Sequence, residues 1–338
     1  MNNKKIKFSI PFNGDLALVK WALKSNQVYE VYFSGPDLMD FSDPYENNNN
    51  IELEKVINLI KLCNKEGVET NLLINKGTHY FDNLKKIKFL INSLRLNGGK
   101  IDYITIADVY LVDYLAKEFP DIKLQSSIYM GLDTVAKVSE AIKMGLKSFC
   151  LDPNINRNYK ELKKISSLKK KYPEIKIKIL GIIQCYSNCF FSSQHNEIPV
   201  LANIMNDKSF KHKGKLGLKI DPYKCTYKVN NFSDEVKRNI VRPEDVFYYE
   251  KNKLVDYIKI AFRNDSSDFL KEKYFAYFNR KYKGSLFKFI GLNNFKNFLF
   301  NNNLFPKDFI DKVMKCDKNC DYCSYCDKIA NKTITKIK

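Results

Sequence analysis

Seven of the nine cysteines fall into two clusters that could bind a metal. The first cluster consists of Cys185, Cys189 and Cys225, and the second, near the end of the sequence, of Cys316, Cys320, Cys323 and Cys326. The N-terminal residues lack the apolar core and cleavage site of a signal peptide, so we expect a cytosolic protein. In a reducing compartment, clustered cysteines indicate metal or redox chemistry rather than disulfides. Cys63 and Cys150 stand alone in apolar segments, which predicts packed thiols.

The spacing of the seven clustered thiols favours an iron-sulfur cluster over zinc. Cys185 and Cys189 have no local histidine or further close cysteine to complete a zinc knuckle, so a fourth ligand must come from elsewhere. The run from Cys316 to Cys326 resembles, in reverse order, the ferredoxin arrangement in which three close cysteines bind one cluster and a fourth reaches another. The seven thiols are one short of fully ligating two four-iron clusters. We therefore predict one or two 4Fe-4S clusters, with zinc as the alternative.

The Cys-x3-Cys-x2-Cys spacing within the second cluster is also that of radical S-adenosylmethionine enzymes. Their motif normally follows the first barrel strand, where this chain has Pro11 to Asp15. The radical interpretation is therefore disfavoured.

Short β-branched runs alternate with helical patterns along most of the chain. Eight predicted strands are separated by helices, which is typical of a (β/α)8 barrel with its active site at the C-terminal ends of the strands. The strands are predicted at Ile6 to Pro11, Val28 to Phe33, Thr70 to Ile74, Tyr103 to Ile106, Ile122 to Ile128, Ser148 to Leu151, Ile175 to Ile182 and Asp256 to Ala261. We expect a barrel over 1–283 that includes a cysteine-bearing insertion at 184–240 after strand seven. The helical, cysteine-rich segment 284–338 would fold over the barrel mouth.

Polar residues at the predicted strand ends are the candidates for catalysis and binding. Arg263 follows strand eight, where a guanidinium would bind a carboxylate or phosphate in bidentate fashion. Asn13 and Asp108 are further catalytic candidates, although Asp108 and Asp15 could equally be helix caps. The remaining strand-end residues are Ser34, Gly35, Asn75, Ser126, Ser127 and Asp152.

Histidine chemistry has few options, because the chain has only three histidines. They are His79, His195 and His212. His195 could be an acid-base group, a metal ligand, the partner of Cys189 in a cysteine-protease dyad, or a solvated loop residue.

The chain is basic, with 57 Lys and Arg against 38 Asp and Glu and a net charge of +19. Lysine-rich stretches at Asn156 to Leu180 and Asp207 to Val229 could guide RNA, with Tyr223 and Tyr227 available to stack on bases. The excess of lysine is equally what an AT-rich genome encodes, so a small-molecule or peptide substrate stays open. A hydrophobic content of 44% excludes wholesale disorder, and no apolar run is long enough to span a membrane.

Several segments resemble peptidase family U32. Val31 to Gly35 (VYFSG) is similar to a family strand end, and Ile183 to Ser192 (IQCYSNCFFS) resembles the cysteine signature "G.lC.sysGrC.lS". Further resemblances are those of Ile104 to Gln125, of Lys224 to Tyr227 to "CR..Y", of Arg242 to Asp245 to "PeDL", and of Asp256 to Arg263 (DYIKIAFR) to "D.lKIEGR". Order and spacing agree over about residues 5–280.

The resemblance implies an eight-stranded barrel and, in several branches, a four-cysteine iron-sulfur cluster. It suggests three functions: oxygen-independent hydroxylation of RNA or a small molecule, peptide hydrolysis or modification, and a non-catalytic role beside a homologous subunit. This chain departs from the family pattern, because Asn188 replaces the "GR" before Cys189. Ala261 and Phe262 replace the "EG" of "KIEGR", and one family cysteine between Cys189 and Cys225 is absent. We expect the C-terminal cysteines to supply the missing ligand.

Overall fold

Eight parallel strands form a closed barrel, as the alternating pattern predicts. The computed structural model describes residues 5–36, 39, 41, 51–75, 81–189, 231–292 and 295–337. Each strand pairs with its neighbours in chain order, and the last pairs with the first. The strands are β1 (Lys7–Pro11), β2 (Val28–Phe33), β3 (Glu69–Ile74), β4 (Tyr103–Ile106), β5 (Lys123–Ser126), β6 (Ser148–Cys150), β7 (Lys176–Leu180) and β8 (Tyr257–Lys259).

Helices follow the strands and cover the outside of the barrel. They are α1 (Leu16–Leu23), α2 (Leu53–Glu66), α3 (Phe81–Gly98), α4 (Tyr110–Glu118), α5 (Val135–Lys143), α6 (Tyr159–Ser167), α7 (Ser233–Lys237), α8 (Val246–Asn252) and α9 (Ser267–Phe278). Local signals start several of them: the side chains of Asp15, Thr134, Asn158 and Ser266 accept hydrogen bonds from first-turn N–H groups. In the described ranges, none of the helices is long and apolar enough to cross a membrane.

The C-terminal segment contains more than the helices that its sequence predicts. It consists of α10 (Leu286–Phe289), β9 (Phe298–Phe300), α11 (Phe309–Val313), α12 (Tyr325–Thr333) and β10 (Ile334–Lys336). β9 and β10 pair in antiparallel fashion, and α12 packs against α7. The segment is therefore attached to the chain that follows β7.

A polar network fills the barrel interior. Each of the first seven strands contributes one member: Ser9, Glu30, Asn71, Thr105, Gln125, Ser148 and Lys178. The Glu30 carboxylate accepts hydrogen bonds from Ser9 (2.6 Å) and Asn71 (3.1 Å) and forms an ion pair with Lys178. Lys178 also donates to Gln125 (2.7 Å). Because this layer occupies the middle of the barrel, a substrate has to bind above it, at the C-terminal ends of the strands.

A candidate site at the barrel mouth and the two cysteine segments

Lys259, on β8, lies above the polar network. Its ammonium nitrogen is 4.0 Å from the centre of the Tyr32 ring, and the Tyr32 hydroxyl donates a 2.7 Å hydrogen bond to the Ile260 carbonyl. Burial lowers the pKa of Lys259 to about 8, with the positive charges of Lys178 and Arg263 acting in the same direction and the Glu30 carboxylate against them. The buried thiol of Cys150, on β6, lies close enough for its charge to oppose this shift.

The backbone turns sharply between Lys259 and Arg263. Phe262 adopts a left-handed conformation with φ of +72°, which is an outlier for a bulky residue. The turn is held by Asn13, whose amide donates to the Asp265 carbonyl (3.3 Å) and the Ser267 hydroxyl (3.1 Å). Arg263 is half-buried at the end of this turn. Asn13 and Arg263, which were predicted separately, therefore lie at the same edge of the mouth, with Asn13 supporting the loop that follows Arg263.

The strand-end carboxylates have local structural roles. Asp15 caps α1 by accepting hydrogen bonds from Ala17 and Leu18 N–H groups, and a hydrogen bond with Ser267 lowers its pKa. Asp108 accepts a hydrogen bond from the Tyr110 N–H (2.9 Å) at the start of α4.

Asp152 caps the turn that follows β6. Its carboxylate accepts a hydrogen bond from the Asn154 N–H (2.7 Å), and burial raises its pKa. Burial therefore favours the protonated form of Asp152.

The segment after β7 brings two cysteines out of the barrel. Cys185 is exposed and Cys189 is half-buried. Between them, Tyr186 donates a hydrogen bond to Glu235 (2.7 Å) and lies under the Arg238 guanidinium, 3.8 Å from the ring centre. These contacts fix the start of the segment against α7 and the residues that follow it.

Three of the four C-terminal cysteines lie between α11 and α12, and Cys326 lies in the first turn of α12. Cys316, Cys320 and Cys323 are exposed, whereas Cys326 is half-buried, and burial raises the pKa of its thiol to about 11. Cys316 and Cys320 are close enough to Cys326 for their charges to add to this shift. Cys316 and Cys320 therefore lie in the neighbourhood of Cys326.

Asn154, in the turn after β6, contacts both cysteine segments. Its side-chain oxygen accepts a 2.9 Å hydrogen bond from the backbone N–H of Asn188, the residue before Cys189. Its backbone carbonyl accepts a 2.9 Å hydrogen bond from the ammonium group of Lys318, which lies between Cys316 and Cys320. Cys189 and the loop that contains Cys316 and Cys320, far apart in sequence, thus both lie next to Asn154.

The described ranges contain no ready-made group of three or more Cys, His, Asp or Glu side chains in position to hold a metal ion. Cys225 lies outside the described residues, as do His79, His195 and His212. The predicted roles of His195 and Cys225 therefore stay predictions.

Comparison with known proteins agrees with the family motifs. The sequence profile of "Peptidase family U32" matches residues 15–274. The chain belongs to peptidase family U32. A curated relative of this U32 protein is "Uncharacterized protease MJ1657" of Methanocaldococcus jannaschii, which is 26% identical over 321 residues, covering 92% of this chain and 90% of the relative. The solved "Structure of the U32 Peptidase Mk0906" is similar with a TM-score of 0.49 and 16% identity, over 76% of this chain and 93% of that chain.

Two departures of this U32 protein from its family motifs fall on left-handed backbone. Phe262 stands where the motif "KIEGR" has glycine, and its φ is +72°. Asn188 replaces the "GR" of the cysteine signature, and its φ is +54°. Left-handed conformations favour glycine and tolerate asparagine, so the backbone at both positions has a conformation that suits the glycine of the motifs.

Sequence reasoning missed Lys259 as a site residue. The signal was present in the alternation of DYIKIA, since a lysine between two isoleucines in a barrel strand must face inward.

Proposed function

We propose that this U32 protein is an enzyme that binds an iron-sulfur cluster through thiols of both cysteine segments and modifies a substrate held at the barrel mouth. The observation that carries the proposal is the position of Asn154, which joins the backbone beside Cys189 to the loop that contains Cys316 and Cys320. Thiols that are distant in sequence could then reach one cluster. Cys225 would complete the set.

The donor chemistry fits such a cluster. Thiolates are the ligands that iron-sulfur clusters use, and the C-terminal thiols are accessible. Lys237 and Lys318 lie close enough to these thiols to interact with their charges, so they would offset part of the negative charge of a thiolate set. When bound, the cluster would supply electron transfer or, with an open iron, a Lewis-acid site.

The substrate would bind at the mouth, where the chain's own residues can hold it. Arg263 would anchor an anionic group through paired hydrogen bonds, and Asn13 would keep the Arg263 loop in place. Asp152, whose pKa is raised by burial, could hold a proton at its carboxylate in neutral solution more readily than an exposed aspartate. The family resemblance makes oxygen-independent hydroxylation of RNA or a small molecule the leading reaction.

Metal analysis tests the cluster. We expect protein purified without oxygen to contain iron and acid-labile sulfide, and Cys320→Ser and Cys323→Ser to lose most of both. Cys63→Ala is the matched control, because Cys63 lies buried in the apolar core, away from either cluster. Stoichiometric zinc without charge-transfer absorption, or full iron content in both serine variants, would contradict the proposal.

Peptide hydrolysis is the second candidate function, and it is favoured by the family description and by the name of the curated relative. Hydrolysis of peptides that persists when all four C-terminal cysteines are replaced by serine would favour it over cluster chemistry. Copurification with a homologous subunit would instead favour a non-catalytic partner role.

RNA as the partner rests on the net charge of +19. On α6, the lysines Lys160, Lys163 and Lys164 are exposed on the outside of the barrel. The stretch 207–229 lies outside the described residues. Binding of bulk tRNA at two salt concentrations tests whether the positive charge binds RNA or only reflects genome composition. Contacts to phosphates weaken steeply with salt, so RNA binding should weaken in the same way.

A further inference from the structure

Buried cations in this protein normally have a carboxylate partner. Within the described ranges, five buried cationic side chains each form an ion pair: Lys178, Lys273, Arg238, Arg242 and Arg280. Buried Arg157 instead donates to the carbonyls of Val236 (2.7 Å) and Ile240 (3.1 Å). The chain thus compensates these charges, as burial requires.

Lys259, which is half-buried, differs from this pattern. In the part of the chain that the structure describes, no carboxylate lies within ion-pair distance of its ammonium group, which contacts the face of the Tyr32 ring. The positive charges of Lys178 and Arg263 are near enough to lower the pKa of Lys259, whereas Glu30, the carboxylate near enough to raise it, is ion-paired to Lys178. The Lys259 ammonium therefore has an aromatic face and a neighbouring cation beside it, but no ion pair within the described residues.

Two further features mark the same place. Phe262, between these cations, holds a left-handed backbone that costs free energy for a phenylalanine, and such outliers cluster at functional sites. Ser34 follows β2, whose inward residues include Glu30 and Tyr32, so the period-two alternation places it on the mouth side. Its fully buried hydroxyl has no hydrogen-bond partner within the described residues.

We propose that Lys259, together with Arg263, binds an oxyanion group of the substrate, a carboxylate or a phosphate, at the mouth of the barrel. The anion would supply the missing counter-charge, and the Ser34 hydroxyl would be free to donate to it. This assignment deepens the proposed function by naming the substrate class. It rests on the barrel alone and does not need the cluster.

Anion-dependent stabilisation tests the assignment. We expect millimolar inorganic phosphate or succinate, compared with sodium chloride at equal ionic strength, to raise the thermal midpoint of the anaerobically purified wild type. The anion that raises the thermal midpoint more identifies the substrate group as a phosphate or a carboxylate. The effect should be larger below the Lys259 pKa of about 8 than above it, because only the protonated amine attracts the anion.

Substitutions separate a binding role from a structural one. Lys259→Met should weaken anion affinity at least about tenfold, as expected for the loss of a charge-assisted contact, whereas Lys259→Arg should retain most of it. Without anion, Lys259→Met should be at least as stable as the wild type, because it removes an uncompensated charge. Lys271→Met is the matched control: this exposed lysine also lies over an aromatic ring, 5.2 Å from the centre of Trp21, but outside the barrel.

Several outcomes would overturn the assignment. They are a wild type that neither anion stabilises, an affinity unchanged in Lys259→Met, and a midpoint of Lys259→Met that falls while anion binding persists. Iron content measured on the same preparations keeps the two proposals apart, because Lys259→Met should lose anion binding with its iron unchanged.

Discussion

The ion pair between Glu30 and Lys178 spans the barrel interior. The two residues belong to β2 and β7, which are not neighbours in the sheet, so their side chains meet across the interior. Ser9, Asn71 and Gln125 satisfy further hydrogen-bonding positions of the pair. A buried pair with this many partners specifies one arrangement of the strands, because a shift in register would leave charges unpaired.

Breaking this pair should destabilise the protein strongly. Lys178→Met leaves the Glu30 carboxylate buried without its counter-charge, and we expect the free energy of unfolding to fall by about 3–5 kcal/mol in urea denaturation. The double variant Glu30→Gln, Lys178→Met should recover much of this loss. Lys143→Met, which removes an exposed pair with Glu140, is the control and should change stability by less than about 0.5 kcal/mol. Equal effects of Lys178→Met and Lys143→Met would contradict this account.

At the scale of elements, alternation in the sequence is enough to predict the barrel. Each predicted strand overlaps an observed one, and Val28–Phe33 and Tyr103–Ile106 agree at both ends. Strand five is shorter than predicted, because Ser127 and Ile128 begin a 3-10 turn that Ser127 caps. The helix after β6 ends at Ser167, and a separate 3-10 turn follows it at Leu168–Lys170.

The sites could be predicted only in part, for a physical reason. Residue type and strand-end position identify Arg263 and Asn13, which depend on local topology. The meeting of the cysteine segments depends on Asn154, whose contacts reach 34 and 164 residues along the chain. Nothing in the residues around Asn154 encodes such long-range contacts. The cysteine spacing could therefore suggest that the C-terminal thiols reach the mouth, but it could not predict their position there.

Arg157 connects the turn after β6 to the residues that follow α7. Its guanidinium donates to two backbone carbonyls in this segment and lies 5.2 Å from the centre of the Phe309 ring. Arg157→Met should leave both carbonyls buried without partners, at about 1–3 kcal/mol each. We expect faster hydrogen exchange in residues 233–241 while β1 to β4 stay protected. Arg95→Met, which removes an exposed pair with Asp121, should leave the exchange of 233–241 unchanged, and equal effects of both variants would contradict this role.

At the scale of the whole molecule, the C-terminal segment is packed into the structure. The Phe289 ring lies 4.3 Å from Tyr282 and 5.7 Å from Tyr277, measured between ring centres. The Arg242 guanidinium is covered by Phe305 and Phe309, at 4.3 and 4.9 Å from the ring centres. These contacts cover the end of α9 and the chain just before α8, so the segment completes the core on the side of the barrel that carries the cysteines.

A chain that ends at Lys283 should therefore fold poorly. Loss of residues 284–338 exposes Tyr277 and the Arg242 side chain. Each large apolar side chain removed from the core lowers the free energy of unfolding by about 1.5–3 kcal/mol. We expect this truncation to be insoluble, or to unfold at a lower midpoint with increased binding of a hydrophobic dye. A chain that ends at Lys336 is the control, because it lacks only the exposed Ile337 and the final residue. If the chain ending at Lys283 is monomeric, with the circular dichroism and cooperative unfolding of an intact barrel, then residues 284–338 are a separable appendage. In that case the C-terminal cysteines would reach the mouth because residues 284–338 dock on a barrel that has already folded.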